Sequence, residues 1–249
     1  MRRREFIALL GGAAAIRPFG ARAEPPRGRI LYFTHSAGYR HDVIPLSREI
    51  LTQLGKNSGV FDVTATEDPS EFSTGNLQRY AAVMFYTSGE LPMSGDQKAA
   101  LLNFVRSGRG FLGVHSATDT FYNWPDYLDL VGGYFNGHPW HQAVTIEVAD
   151  RSDPLVAFLG NSLQVADEIY QIRDFDYRGS RVLLRLDPSS VDLGKTGVHQ
   201  RSYGWPLAWK RSYGEGRVFY TALGHEASVW RDARYQQILT NAILWSMRR

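Results

Sequence analysis

No cysteine occurs among the 249 residues. Disulfides, thiolate nucleophiles and zinc–thiolate sites are therefore excluded, and any site chemistry must come from nitrogen and oxygen groups. Long apolar runs are also missing. The run Phe6–Ile16 is rich in glycine and falls short of the ~20 apolar residues that cross a bilayer. No G-x-G-x-x-G follows the first expected strand. Gly194-Lys195-Thr196-Gly197 lacks the upstream glycine and preceding strand of a phosphate loop, so no nucleotide cofactor is expected. A zinc-protease helix is absent as well, because Val229 stands where the histidine pairing with His225-Glu226 would be required.

An excess of charge is missing once the first residues are set aside. Met1–Ala23 has a basic start at Arg2–Arg4, the short apolar run, and a small-x-small ending, Ala21-Arg22-Ala23. Arg3-Arg4-Glu5-Phe6-Ile7 resembles a twin-arginine export signal, so a periplasmic or secreted protein is expected. This leader holds five of the 28 basic residues and one of the 25 acidic ones, leaving 23 against 24. The formal charge of +3 therefore belongs to the leader. Nucleic-acid binding and stable membrane association after cleavage are not expected.

The remainder reads as one α/β domain, residues 27–249, with no linker long enough to divide it. Arg29–Thr34 predicts a first strand. Val43–Leu54 has helical apolar spacing, with Asp42 as its cap and Gly55 or Gly59 as its end. Phe61–Ala65 predicts an edge strand, and Ala81–Tyr86 a strand covered on both faces. Ser94 with Gln97 predicts a capping box ahead of a helix that stops at Gly108. Gly110–His115 follows as a strand. Ala143–Val148, Arg181–Leu186, Pro206–Lys210 and Arg217–Ala222 add further strands, and Trp230–Met247 predicts a closing helix.

Several strands end in polar loops that carry ionisable groups. His35 and His41 follow the first, Glu90 the third, His115 the fourth, and His225 with Glu226 the last. If these strands are parallel neighbours, the groups converge at one end of the sheet, where open α/β sheets bind ligands. Imidazoles and carboxylates there suit a divalent metal such as zinc or manganese, or acid–base chemistry. Gly113-Val114-His115-Ser116-Ala117 has small residues two before and two after its centre, as in a nucleophile elbow, and the centre is His115. His138-Pro139-Trp140-His141 reads as an extended loop, and His199 as a solvated residue. Tyr122, Trp124, Trp140, Tyr203, Trp205 and Trp230 fall in or beside expected loops, where aromatic faces suit sugar rings.

The stretches Thr34–Asp42, Gly110–Ala117, Leu130–Gln142 and Gly216–Trp230 resemble the trehalose-utilisation (ThuA-like) family. The matches include GVHSA, LVGGYFNGHPWHQ and GRVFYTALGHEASVW. The resemblance implies a flavodoxin-like fold shared with class I glutamine amidotransferases, a three-layer sandwich with a mostly parallel sheet. Those enzymes carry a catalytic cysteine at the elbow. His115 stands there in this chain, so no glutaminase activity is expected.

The family is associated with breakdown of trehalose and related sugars, including 3-keto-glycosides. The expectation is thus an exported sugar-processing enzyme, a metal-dependent hydrolase or lyase acting on glycosides. His115, Asp119 and Glu90 would be catalytic, and His35, His41, His115 and His225 would be metal ligands. Tyr39, Trp124, Trp140 and Glu226 would bind the sugar. The alternative is a non-catalytic sugar- or partner-binding protein on a degenerate scaffold, and a homo-oligomer stays open in either case. The leader makes one prediction: N-terminal analysis of the exported protein should find Glu24 first, and a retained Met1 would refute cleavage.

Overall fold

The computed structural model describes residues 28–247, so the expected leader and cleavage site lie outside the described residues. The chain begins with β1 (Gly28–Phe33), α1 (Ile44–Ser58), β2 (Phe61–Thr66), α2 (Thr74–Leu77), β3 (Ala82–Phe85), α3 (Gly95–Arg106) and β4 (Gly110–Val114). It continues through α4 (Pro125–Val131), β5 (Tyr134–Phe135), β6 (Trp140–Val148), β7 (Ser162–Ile169), β8 (Ile172–Arg173) and β9 (Ser180–Leu186). It closes with β10 (Pro206–Tyr213), β11 (Gly216–Thr221), α5 (Ala227–Arg231) and α6 (Ala233–Ser246).

Nine strands form one sheet in the order β2-β1-β3-β4-β11-β10-β9-β6-β7. The five from β2 to β11 are mutually parallel. The remaining four alternate in direction, so β9 and β7 run the same way as the parallel set. β3 and β4 are buried along their whole length, which is why they lack polar alternation. On one face of the sheet, Tyr32 of β1 bonds Ser47 of α1, and α5 packs against both α1 and α6. On the other, Tyr127 of α4 meets Phe85 and Phe111, and Lys98 of α3 lies over Trp124. The result is a mixed α/β sandwich of three layers.

Local sequence signals account for much of this. Ser94 and Gln97 form both halves of the capping box at α3. Gly59 ends α1 in the left-handed conformation. Other expectations need correction. Asp42 does not cap α1; the cap position is Val43 and makes no side-chain bond, while Pro45 in the first turn needs no N–H partner. The closing helix is two helices, because Asp232 adopts an extended conformation and caps α6 through Arg234 N. The strand expected from Ala143 begins earlier, at Trp140, so His141 belongs to a strand and not a loop. The strand β7 has no counterpart among the expected elements.

Only Ile146–Val148 of β6 pair with β9, whereas Trp140–Glu147 pair with β7. The far part of β6–β7 is therefore a two-stranded ribbon, free to twist more strongly than a full sheet. Its end carries Glu168 back to the carboxyl ends of β4 and β11, where it meets His115 and His225.

The turn after β4 is the elbow expected from GVHSA. His115 has φ 45, a left-handed conformation that costs a non-glycine residue about 1–3 kcal/mol. The surroundings hold it there. The Tyr220 hydroxyl donates to the His115 carbonyl at 2.7 Å, and the Thr120 hydroxyl donates to the Ser116 carbonyl at 3.1 Å. A Cβ on Gly113 would stand 2.9 Å from Tyr220 Cδ2 and 3.2 Å from Ala117 Cβ, so both small residues are needed for the turn to close. Gly113→Ala is predicted to cost about 1–3 kcal/mol, as overpacking of a rigid core does. An unaltered urea midpoint would show that the elbow is not tightly packed.

Candidate metal centre

Four segments meet at the carboxyl end of the parallel strands. The loop after β1 brings His41. It is tethered by the Ser88 hydroxyl, which donates to the Tyr39 carbonyl at 2.6 Å, and by Arg40, which grips both carboxylate oxygens of Glu67 at 2.9 Å. The elbow brings His115. The loop after β11 brings His225, and β7 brings Glu168.

The ligand-type atoms of His41, His115, Glu168 and His225 lie within 4.8 Å of one another. Glu168 Oε2 stands 3.4 Å from His115 Nε2 and 3.2 Å from His225 Nδ1. His41 Nδ1, His115 Nε2 and His225 Nδ1 are buried and have no hydrogen-bond partner. Unpaired buried polar atoms are rare and costly, and three converging on one carboxylate form a set suited to a cation.

The set fits a divalent transition metal. Tetrahedral ligands at the usual Zn–N and Zn–O lengths stand about 3.4 Å apart, close to the Glu168 separations. A carbonyl can only accept, so the 2.7 Å contact between His115 Nδ1 and the Ala222 carbonyl places the ring proton on Nδ1. This leaves the Nε2 lone pair facing the cluster, the outer-shell arrangement typical of metal-bound histidine.

Electrostatics differ from one member of the cluster to the next. Burial, then the neighbouring His115 and His225, push His41 down to about 3, so its imidazole is neutral. Burial alone would raise the Glu168 carboxyl, but His115 and His225 beside it hold it well below the ordinary carboxylate range. The carboxylate of Glu168, ahead of the opposing effect of burial, raises His225.

A cavity of about 390 Å³ opens over this floor, within the range of small-molecule sites. Tyr39, Asp119, Phe135, His138 and Tyr170 line it together with His41, Glu168 and His225. Tyr170 packs on the His115 ring with centroids 4.2 Å apart, and Phe135 packs on Tyr170 at 4.4 Å. His138 Nδ1 lies 3.2 Å from Glu168 Oε1. Asp119 accepts a 2.6 Å bond from the Tyr122 hydroxyl. Its carboxyl is nonetheless raised, because burial outweighs that bond.

The structure thus brings His41, His115 and His225 together and sets Tyr39 and Asp119 in the wall above them. His138 enters the cavity. His141 and Glu226 do not line the cavity; His141 Nε2 lies 2.7 Å from Glu226 Oε1, and the two form a second candidate ligand group with His225. Other residues go elsewhere. His35 directs Nδ1 to the Glu67 carbonyl, 2.9 Å away, and lies outside the cluster. Glu90 is exposed and accepts from Asn123 N. Trp124 is packed between Phe121 and Tyr127. Trp140 is fully buried against Trp205, and its Nε1 donates to the Asp192 carbonyl, so it has no free face for a sugar.

Glu168, Asp167, Phe135 and Tyr170 are not singled out by the sequence patterns above. The available signal is the alternation Leu163, Val165, Asp167, Ile169, in which a carboxylate occupies an inward position of a strand.

Comparison with known proteins bears on the family and the fold. The profile of the ThuA family, trehalose utilisation, matches residues 29–246. No curated protein matches the sequence. A ThuA-like protein from Bacteroides uniformis ATCC 8492 superimposes with a TM-score of 0.75 at 25% identity, over 91% of this chain and 94% of that one. A ThuA-like protein from Parabacteroides merdae ATCC 43184 gives 0.69 at 19% identity, over 89% and 90%. A protein described as a GMP synthase subunit, from Thermoplasma acidophilum, gives 0.53 at 9% identity, over 88% and 94%, a likeness of fold alone. With the family profile covering nearly all of the described residues, the chain belongs to the ThuA, or trehalose utilisation, family.

Proposed function

We propose that this protein is an exported, metal-dependent enzyme that acts on a sugar in the breakdown of trehalose or related keto-glycosides. The observation that carries the reading is the floor of the cavity, where three buried imidazole nitrogens without a hydrogen-bond partner gather around Glu168. His41, His115, His225 and Glu168 would hold the ion, with zinc or manganese the best matches to nitrogen and carboxylate donors. A divalent ion at this place supplies Lewis-acid polarisation of a substrate oxygen and acidification of bound water.

The chain's own residues supply the rest. Tyr39 and Phe135 present aromatic surface to the apolar face of a pyranose ring, with Tyr170 packed against Phe135 in support. Asp119, oriented by Tyr122, is placed to accept hydrogen bonds from sugar hydroxyls. His138 lines the cavity, oriented by the contact of its Nδ1 with Glu168, and can exchange a proton with a bound ligand. His115 is not available as a nucleophile, because Nδ1 is committed to Ala222 O and Nε2 faces the cluster.

Elemental analysis of the mature chain tests the metal. About one equivalent is expected in the wild type, falling at least about tenfold in His115→Ala, His225→Ala and Glu168→Gln variants that keep wild-type circular dichroism. An ion-free wild type after reconstitution with zinc and with manganese would sink the assignment.

The cavity wall is tested separately. Asp119→Asn should weaken sugar binding about tenfold, the share of one hydrogen bond to a charged group, with metal content unchanged. Turnover of a 3-keto-glycoside by the wild type and not by His115→Ala supports the enzyme. Sugar binding that survives His115→Ala, with no turnover, supports instead a carbohydrate-binding protein.

A further inference from the structure

Asp167 lies next to Glu168 on β7 but turns to the other side of the strand, and it is fully buried. It makes no ion pair with lysine or arginine among the described residues. Its two carboxylate oxygens are used instead on the backbone of the loop after β11. Oδ2 accepts from Gly224 N at 2.7 Å and Oδ1 from Glu226 N at 2.9 Å. Those two residues flank His225.

The loop is gripped from its other side as well. Tyr235 donates to the Leu223 carbonyl at 2.9 Å, while Tyr86 and Trp230 donate to the Gly224 carbonyl at 2.8 and 2.9 Å. Gly224 itself has φ 127, and a Cβ there would stand 2.9 Å from the Tyr235 hydroxyl.

We infer that Asp167 is a positioning residue that sets the His225 arm of the centre against Glu168, an inference that rests on the metal reading above. Two ligands of the cluster come from β7 and from the loop after β11, which are four places apart in the sheet order. The sheet fixes their separation only loosely, because β7 belongs to a ribbon in which Ile146–Val148 alone of β6 pair with β9. Asp167 supplies the missing connection. One residue of β7 holds the backbone on both sides of His225, and the next places Oε2 3.2 Å from His225 Nδ1. Charge-assisted bonds to backbone N–H groups are short and about twice as strong as neutral ones, so the connection is stiff. Asparagine at this place would keep one acceptor and point an NH₂ group at an N–H donor, losing one bond and adding a clash.

The experiment is a Co²⁺ and Zn²⁺ titration of the full mature chain carrying Asp167→Asn, beside Asp153→Asn. Asp153 is a buried carboxylate paired with Lys210, so its loss reports general destabilisation. Asp167→Asn should raise the metal dissociation constant about 10–100-fold, as loss of outer-shell support does, and shift the visible Co²⁺ spectrum. Asp153→Asn should leave affinity and spectrum as in the wild type. Wild-type affinity and spectrum in Asp167→Asn, or equal losses in both variants, would overturn the inference.

If Asp167→Asn does not fold, Asp167→Ser takes its place, a smaller side chain with a single acceptor oxygen for the two backbone donors. Metal binding weakened about 10–100-fold is again the expected result, and wild-type affinity refutes the positioning role. Should the wild type bind neither metal, the metal reading fails independently. The clamp is then read by hydrogen exchange at the Gly224 and Glu226 amides, which should quicken at least about tenfold in Asp167→Asn; unchanged exchange would remove the clamp too.

Discussion

His115 is the point from which the rest of the site is measured. Its left-handed backbone lets a strand buried on both faces end with a side chain aimed along the sheet axis and not into either layer. That conformation persists only because Gly113 and Ala117 leave room and Tyr220 holds the carbonyl. The ring is then oriented by two independent contacts, the Ala222 carbonyl on Nδ1 and Tyr170 on its face. With both fixed, Nε2 points in one direction. The positions of His41, His225 and Glu168 have meaning because they surround that direction.

Much of this was legible from the chain because parallel strands impose a rule. Residues just past their carboxyl ends must share one end of the sheet, so His41, His115 and His225 could be grouped although 184 positions separate the first from the last. The same rule over-reached with His35 and Glu90. It selects an end of the sheet, not a side-chain direction, and both found backbone partners on neighbouring loops instead.

Glu168 escaped the rule because its strand reaches the site by bending. Nothing in the periodicity of Ser162–Ile169 tells that β6 leaves β9 after three residues and twists back. Trp140 misled for a related reason. Pro139 suggested an open loop, whereas the residue after it starts a strand and buries its ring against Trp205. Secondary structure follows from local pattern here, but the closing of the ribbon over the site follows from long-range contacts made by Asp167 and Glu168.

The centre of the elbow is an imidazole and not a thiol, and that decides what the turn can do. A thiolate there attacks; an imidazole held by Ala222 through one nitrogen can only offer the other as a lone pair. Whether such a centre is structural or catalytic depends on access. Four protein ligands close a tetrahedral site, and structural zinc is bound in this way, whereas catalytic ions keep a position for water or substrate. In this chain His41, Glu168 and His225 are themselves part of the cavity wall, and only His115 lies wholly beneath it. An ion held among them as proposed would be covered by protein on the elbow side and would face the cavity on the other. Glu168 adds freedom in the same direction, since its second oxygen lies against His138 and not the cluster. The carboxylate is therefore shared between the floor and the wall of the cavity.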